Sequence, residues 1–70
     1  MNATIILVGT ELLSGMTIDT NSIYMAEELN KYGIEIKYKF TVGDNIKDIV
    51  EVIEFGKDKS DLVILSGGLG

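Results

Sequence analysis

Apolar residues fall into three runs along the chain: Ala3 to Val8, Ile34 to Val42, and Asp61 to Leu65. The first and third are near-continuous, as Ile5-Ile6-Leu7-Val8 and Leu62-Val63-Ile64-Leu65. Short β-branched runs without polar alternation suit strands buried on both faces of a parallel sheet. The middle run alternates, with Ile34, Ile36, Tyr38 and Phe40 on one side and Glu35, Lys37 and Lys39 on the other. Period two of this kind predicts a strand nearer the sheet edge.

Between the runs lie two patterns with helical spacing. The first spans about Asn21 to Tyr32, with Ile23, Ala26 and Leu29 as its apolar stripe and Asn30 at the same spacing. Asp19 and Thr20 are candidates to cap its start, and Gly33 stands where a left-handed residue would end it. The second spans about Ile46 to Lys57, with Ile46, Ile49, Val50 and Ile53 as its stripe. Asn45 is a candidate N-cap, and Asp48 adds negative charge in the first turn, where the helix dipole favours it. Gly56 is expected to weaken the end of this helix and help to stop it. The order is β-α-β-α-β, which predicts an α/β fold: a three-stranded parallel sheet with right-handed crossovers and strand order 2-1-3.

Composition narrows the function more than the fold. The chain has 70 residues, 46% hydrophobic and 24% charged, which is a globular profile and room for one small domain. A domain of this size buries only about 60% of the surface its unfolded chain exposes, so it is marginal alone. There is no cysteine and no histidine. That excludes disulfides, thiolate or histidine metal sites, and a Ser-His-Asp triad within the chain. Net charge is −5 and the six lysines are scattered, without the basic stripe of a nucleic-acid reader. Tyr24, Tyr32 and Tyr38 are equally scattered and form no stacking platform. No apolar run approaches the ~18 residues of a membrane span, and no signal peptide is recognisable, so the expected compartment is the cytoplasm.

In open α/β sheets ligands bind beyond the carboxyl ends of the strands, where strand order reverses. Six of the eight glycines fall on that rim: Gly9 and Gly15 after the first strand, Gly43 after the second, and Gly67, Gly68 and Gly70 after the third. Ser66-Gly67-Gly68-Leu69-Gly70 has the make-up of a backbone anion site, or of a turn that merely leaves room for packing. It is not a Walker loop, and Thr10-Glu11-Leu12-Leu13-Ser14-Gly15 is not a dinucleotide fingerprint. Thr10 offers a hydroxyl to a phosphate or pterin, and Glu11 is either a rim carboxylate or a solvated one. Asp44 reads two ways: as a cap or Asx-turn residue before the second long helix, or as a catalytic carboxylate. Glu27, Glu28, Asp48, Glu51, Glu54 and Asp58 read as solubility charges on outer helix faces.

Taken together, Val8-Gly9-Thr10-Glu11-Leu12-Leu13-Ser14-Gly15, Asp19-Thr20-Asn21, Val42-Gly43-Asp44-Asn45, and Asp61-Leu62-Val63-Ile64 leading into Gly67-Gly68-Leu69-Gly70 resemble the start of the CinA family of competence/damage-inducible proteins. That family's amino-terminal domain is similar to the molybdopterin-binding domains of the MoaB/MogA and gephyrin/MoeA group. The resemblance implies a three-layer domain with a pterin or nucleotide phosphate at the carboxyl rim, held in part by Gly67, Gly68 and Gly70. It implies a functional role for Asp44. It also implies a metal-dependent ADP-ribose pyrophosphatase in the complete protein, with nicotinamide mononucleotide deamidase activity where a carboxyl-terminal domain is present. The implied cofactors are a divalent metal or molybdopterin, and the implied partner is a small phosphorylated ligand.

The family's Gly-Gly-Leu-Gly turn runs on into a stretch with paired aspartates, whereas this chain stops at Gly70. The expectation is therefore a single incomplete domain over residues 1–70, without turnover by itself and prone to self-association. The alternative is a module that binds molybdopterin or nucleotide without cleaving it.

Overall fold

The computed structural model of the chain describes residues 1–15 and 20–67. Its elements run β1 (Asn2–Val8), α1 (Thr10–Leu13), α2 (Asn21–Lys31), β2 (Glu35–Val42), α3 (Ile46–Lys59) and β3 (Leu62–Gly67). The strands form one parallel sheet in the order β2-β1-β3, as the crossover argument requires. β1 is the centre of the molecule: Ala3, Thr4, Ile5 and Ile6 have no exposed surface and Leu7 has 2%. Its continuous apolar run follows from having a strand on each side. β3 carries a similar run but lies at an edge, so Leu65 is left 53% exposed.

The middle strand departs from simple alternation. Its pairing with β1 shifts register between Ala3 and Thr4, so that Ile36 lies opposite Ala3, Tyr38 opposite Thr4, and Lys37 is an extra residue. Successive residues of β1 face opposite sides of the sheet. Ile36 accordingly lines a groove with Ala26 and Asn30 of α2, whereas Tyr38 and Phe40 meet Phe55 of α3. The aromatic pairs are edge-to-face, with centroids 4.9 Å and 5.2 Å apart, the arrangement that ring quadrupoles prefer. The single apolar side expected for Ile34, Ile36, Tyr38 and Phe40 is thus split between the two helical layers.

The helices are found where their patterns predict, but rotated from the expected stripes. On α2 the buried residue is Ser22, with Met25, Ala26 and Leu29 partly buried, whereas Ile23 is 58% exposed. On α3 the inward residues are Ile49, Val52, Ile53 and Gly56, whereas Ile46 and Val50 are exposed. Nor does Gly56 end α3, which continues to Lys59. Gly56 is instead where the helix comes closest to the sheet: a Cβ there would lie 3.0 Å from Val63 Cγ2 and 3.2 Å from Thr4 Cβ and Cγ2. Thr4 Oγ1 and Ser60 Oγ share a 2.8 Å hydrogen bond beside this contact, and Ser60 Oγ also donates to the Gly56 carbonyl at 2.8 Å. The small side chains at 4, 56 and 60 let helix and strand approach closely while the buried hydroxyls stay satisfied.

The helix ends obey local chemistry. Gly33 has φ +77°, and the Gly33 and Ile34 N–H groups donate to the Asn30 and Leu29 carbonyls at 3.1 Å and 3.0 Å. That is a Schellman ending, for which glycine carries no Cβ penalty. Asn45, in extended conformation, accepts from the Lys47 and Asp48 N–H groups at 2.9 Å and 3.3 Å and caps α3. At the start of α2, Thr20 holds the cap position but has helical dihedrals and makes no side-chain cap bond. Asp19, the other proposed cap, lies outside the described residues.

Candidate functional site

Parallel strands end on one side, and the loops that follow β1, β2 and β3 therefore share a rim. The β1–β2 ladder runs one step past the strands, with the Gly9 N–H donating to the Val42 carbonyl at 2.9 Å. The chain then turns at once into α1, a single helical turn too short for hydrophobic periodicity to predict. Leu13 and Ser14 N–H groups bond back to the Gly9 and Thr10 carbonyls at 3.1 Å and 2.9 Å. Thr10-Glu11-Leu12-Leu13 contains good helix formers directly after a glycine, which is the signal that could have revealed it.

α1 packs against the end of β2. A Cβ built on Gly43 would lie 3.5 Å from Leu13 Cδ2 and 3.8 Å from Thr10 Oγ1, so the threonine hydroxyl stands beside the Gly43 backbone. Thr10 is exposed. The Glu11 carboxylate folds back over Gly9, with Oε1 2.8 Å from where a Cβ would stand. Leu13 is 58% exposed and flanks the rim rather than entering the core.

After β2, the Asn45 N–H donates to the Gly43 carbonyl at 2.8 Å, making a three-residue turn with Asp44 at its tip. Asp44 is exposed. Asn45 caps α3, so the reading of Asp44 as the cap does not hold: the helix begins one residue too late for it. Asp44 therefore stands on the same strand-end rim as Thr10, with its side chain exposed.

Gly67 closes β3, is exposed, and has no atom within 4 Å of where a Cβ would stand. It pairs with Val8, so the third strand end lies beside the Gly9 turn. Gly68 and Gly70 lie outside the described residues. Thr10, Asp44 and Gly67 thus follow three adjacent strands at their carboxyl ends, around the point where strand order reverses between β1 and β3. Among the described residues no three acidic side chains lie close enough together to hold a metal ion. A groove of about 310 Å³ opens elsewhere, between α2 and the start of β2, lined by Ala26, Glu27, Asn30, Ile34, Glu35 and Ile36. None of the rim residues borders it. Among the described residues no helix is long and apolar enough to cross a membrane.

The fold and rim can be set against known proteins. A CinA-like protein from Fusobacterium nucleatum is 64% identical over all 70 residues, and a putative competence-damage inducible protein from Levilactobacillus brevis is 53% identical over the same span. The chain spans 17% of the length of each of these relatives. The crystal structure of the protein CinA, of unknown function, from Thermoplasma acidophilum superposes with a TM-score of 0.92 at 38% identity, covering 99% of this chain and 41% of that one. The model of the probable molybdopterin binding domain matches residues 4–70, and the chain belongs to that family.

Proposed function

We propose that the carboxyl rim binds the phosphate of a nucleotide or of molybdopterin, and that a complete protein of this kind hydrolyses ADP-ribose-type diphosphates. The observation that carries the first part is the convergence of Thr10, Asp44 and Gly67 on the ends of three adjacent parallel strands, at the reversal of strand order. Backbone N–H groups in the glycine turns would receive phosphate oxygens, and the Thr10 hydroxyl would add a further donor. The second part rests on the likeness to CinA-type proteins.

Asp44 is suited to act on such a ligand because it is at the rim and is spent on no cap. As a carboxylate it would accept a proton from an attacking water, or a hydrogen bond from a ligand hydroxyl. A divalent metal is the natural neutraliser of a diphosphate, but the described residues alone do not make a metal site. The 70-residue chain is accordingly proposed to bind without turnover.

The test is ADP-ribose hydrolysis by a full-length CinA-type relative with divalent metal, with and without replacement of the aspartate that matches Asp44, alongside calorimetric AMP binding by the 70-residue chain. AMP release that the aspartate variant loses while staying folded supports the enzymatic reading. AMP binding by this chain without hydrolysis by the longer protein leaves a binding module. Absence of both overturns the proposal.

A further inference from the structure

The backbone at position 9 does not itself require a glycine. Gly9 has φ 166°, which is extended and open to any residue, and its N–H stays in the ladder with Val42. What a side chain here would meet is Glu11. The three atoms nearest to a Cβ are Glu11 Oε1, Cδ and Oε2, at 2.8, 3.2 and 3.4 Å. The missing Cβ thus leaves a seat for a carboxylate. That seat lies at the end of β1, the central strand, between the ends of β2 and β3. Gly9 beneath it is buried, and Glu11 is exposed to whatever enters the rim. Among the described residues the Glu11 carboxylate accepts no hydrogen bond and makes no ion pair. Its two oxygens are acceptors without a donor.

We propose that Glu11 reads the sugar of the ligand: its carboxylate accepts the two hydroxyls of a ribose 2′,3′-diol, so that the rim takes a ribonucleotide in preference to a phosphate without the diol. This rests on the reading of the rim as a phosphate site. Two properties of a seated carboxylate carry it. Its charge repels phosphate, which is thereby kept off the end of β1 and directed toward Thr10 and the glycines after β3. Its oxygens take hydroxyl donors in charge-assisted hydrogen bonds, which are about twice as strong as neutral ones, and two adjacent hydroxyls match two oxygens. One negative charge at the centre of the rim therefore tells the two ends of a nucleotide apart. Gly9 fixes where that charge stands, because any larger residue would take its place.

The experiment is calorimetric binding of AMP, 2′,3′-dideoxyadenosine monophosphate and inorganic phosphate to the 70-residue chain, with far-UV circular dichroism of each variant. The expected result is that AMP binds about tenfold or more tighter than the dideoxy nucleotide, a difference of about 1.4 kcal/mol. Glu11→Ala should bring the two nucleotides within about twofold of each other and bind inorganic phosphate no more weakly than the parent. Gly9→Ala should lose the same preference with the charge retained, since its Cβ displaces the carboxylate. Glu51→Ala, an equal loss of charge at an exposed position on α3, should leave the preference intact. Should Gly9→Ala fail to fold, Glu11→Ala decides, because it changes an exposed side chain. A parent that binds both nucleotides equally, or a preference that survives in Glu11→Ala, overturns the proposal and leaves the rim as a phosphate site. A parent that binds neither nucleotide overturns the reading of the rim together with it.

Discussion

Replacing Gly56 by alanine sets two physical effects against each other. In an exposed helix interior the change stabilises by about 0.8–1 kcal/mol, because alanine is the better helix former. At Gly56 the new Cβ would stand 3.0 Å from Val63 Cγ2 and 3.2 Å from Thr4 Cβ and Cγ2. Thr4 belongs to the fully buried central strand and is hydrogen-bonded to Ser60, so it has little room to yield. Separating helix from sheet by a few tenths of an ångström strains that bond and loosens Phe55 from Tyr38 and Phe40. Overpacking of this kind typically costs about 1–3 kcal/mol, which exceeds the propensity gain. The net expectation is a loss of about 1 kcal/mol, or a Tm lower by about 4–8 °C for a domain of this size. Thermal melts followed by circular dichroism, at one fixed protein concentration, measure it. In a background of Thr4→Ser and Val63→Ala, which removes both facing methyl groups and leaves only the Cβ of residue 4 close by, the penalty should shrink, because the sites are coupled through the same space. A Gly56→Ala protein as stable as the parent, or more so, would refute the close-approach reading and leave only helix propensity.

Two further substitutions probe the helix ends. Asn45→Ala removes the acceptor for the Lys47 and Asp48 N–H groups and should destabilise by about 1 kcal/mol in urea denaturation, with Asn45→Asp close to the parent. Gly33→Ala forces a Cβ into φ +77° and should cost about 1–2 kcal/mol by the same measurement, although a side chain there would meet only open space.

The candidate site was legible as a place before it was legible as chemistry. Short apolar runs separated by helical patterns imply parallel strands, and parallel strands imply a shared carboxyl rim holding Thr10, Asp44 and Gly67. No spacing rule separated a cap from a working carboxylate at Asp44, because Asp44 and Asn45 are both good caps. The dihedrals and hydrogen bonds at Asn45 give the cap to that residue. The fold-back of Glu11 over Gly9 was invisible for a related reason: it depends on the tight entry into α1, which is one turn long and too short for periodicity to register.

What the sequence by itself determined is the order of the three strands and the two long helices, their approximate bounds, the strand order 2-1-3 and the glycine ending at Gly33. These depend on local chemistry or on the handedness of crossovers, and both act within a few dozen residues. What tertiary structure decided is the phase of each element. Apolar residues on α2 and α3 outnumber the positions that face the sheet, so periodicity alone admits several rotations. Packing against the sheet chose the ones that bring Ser22 and Gly56 inward and leave Ile23 and Ile46 in water. Likewise, the extra residue at Lys37 comes from pairing with β1, a partner more than thirty residues away, and it alone sends Ile36 to one layer and Tyr38 to the other.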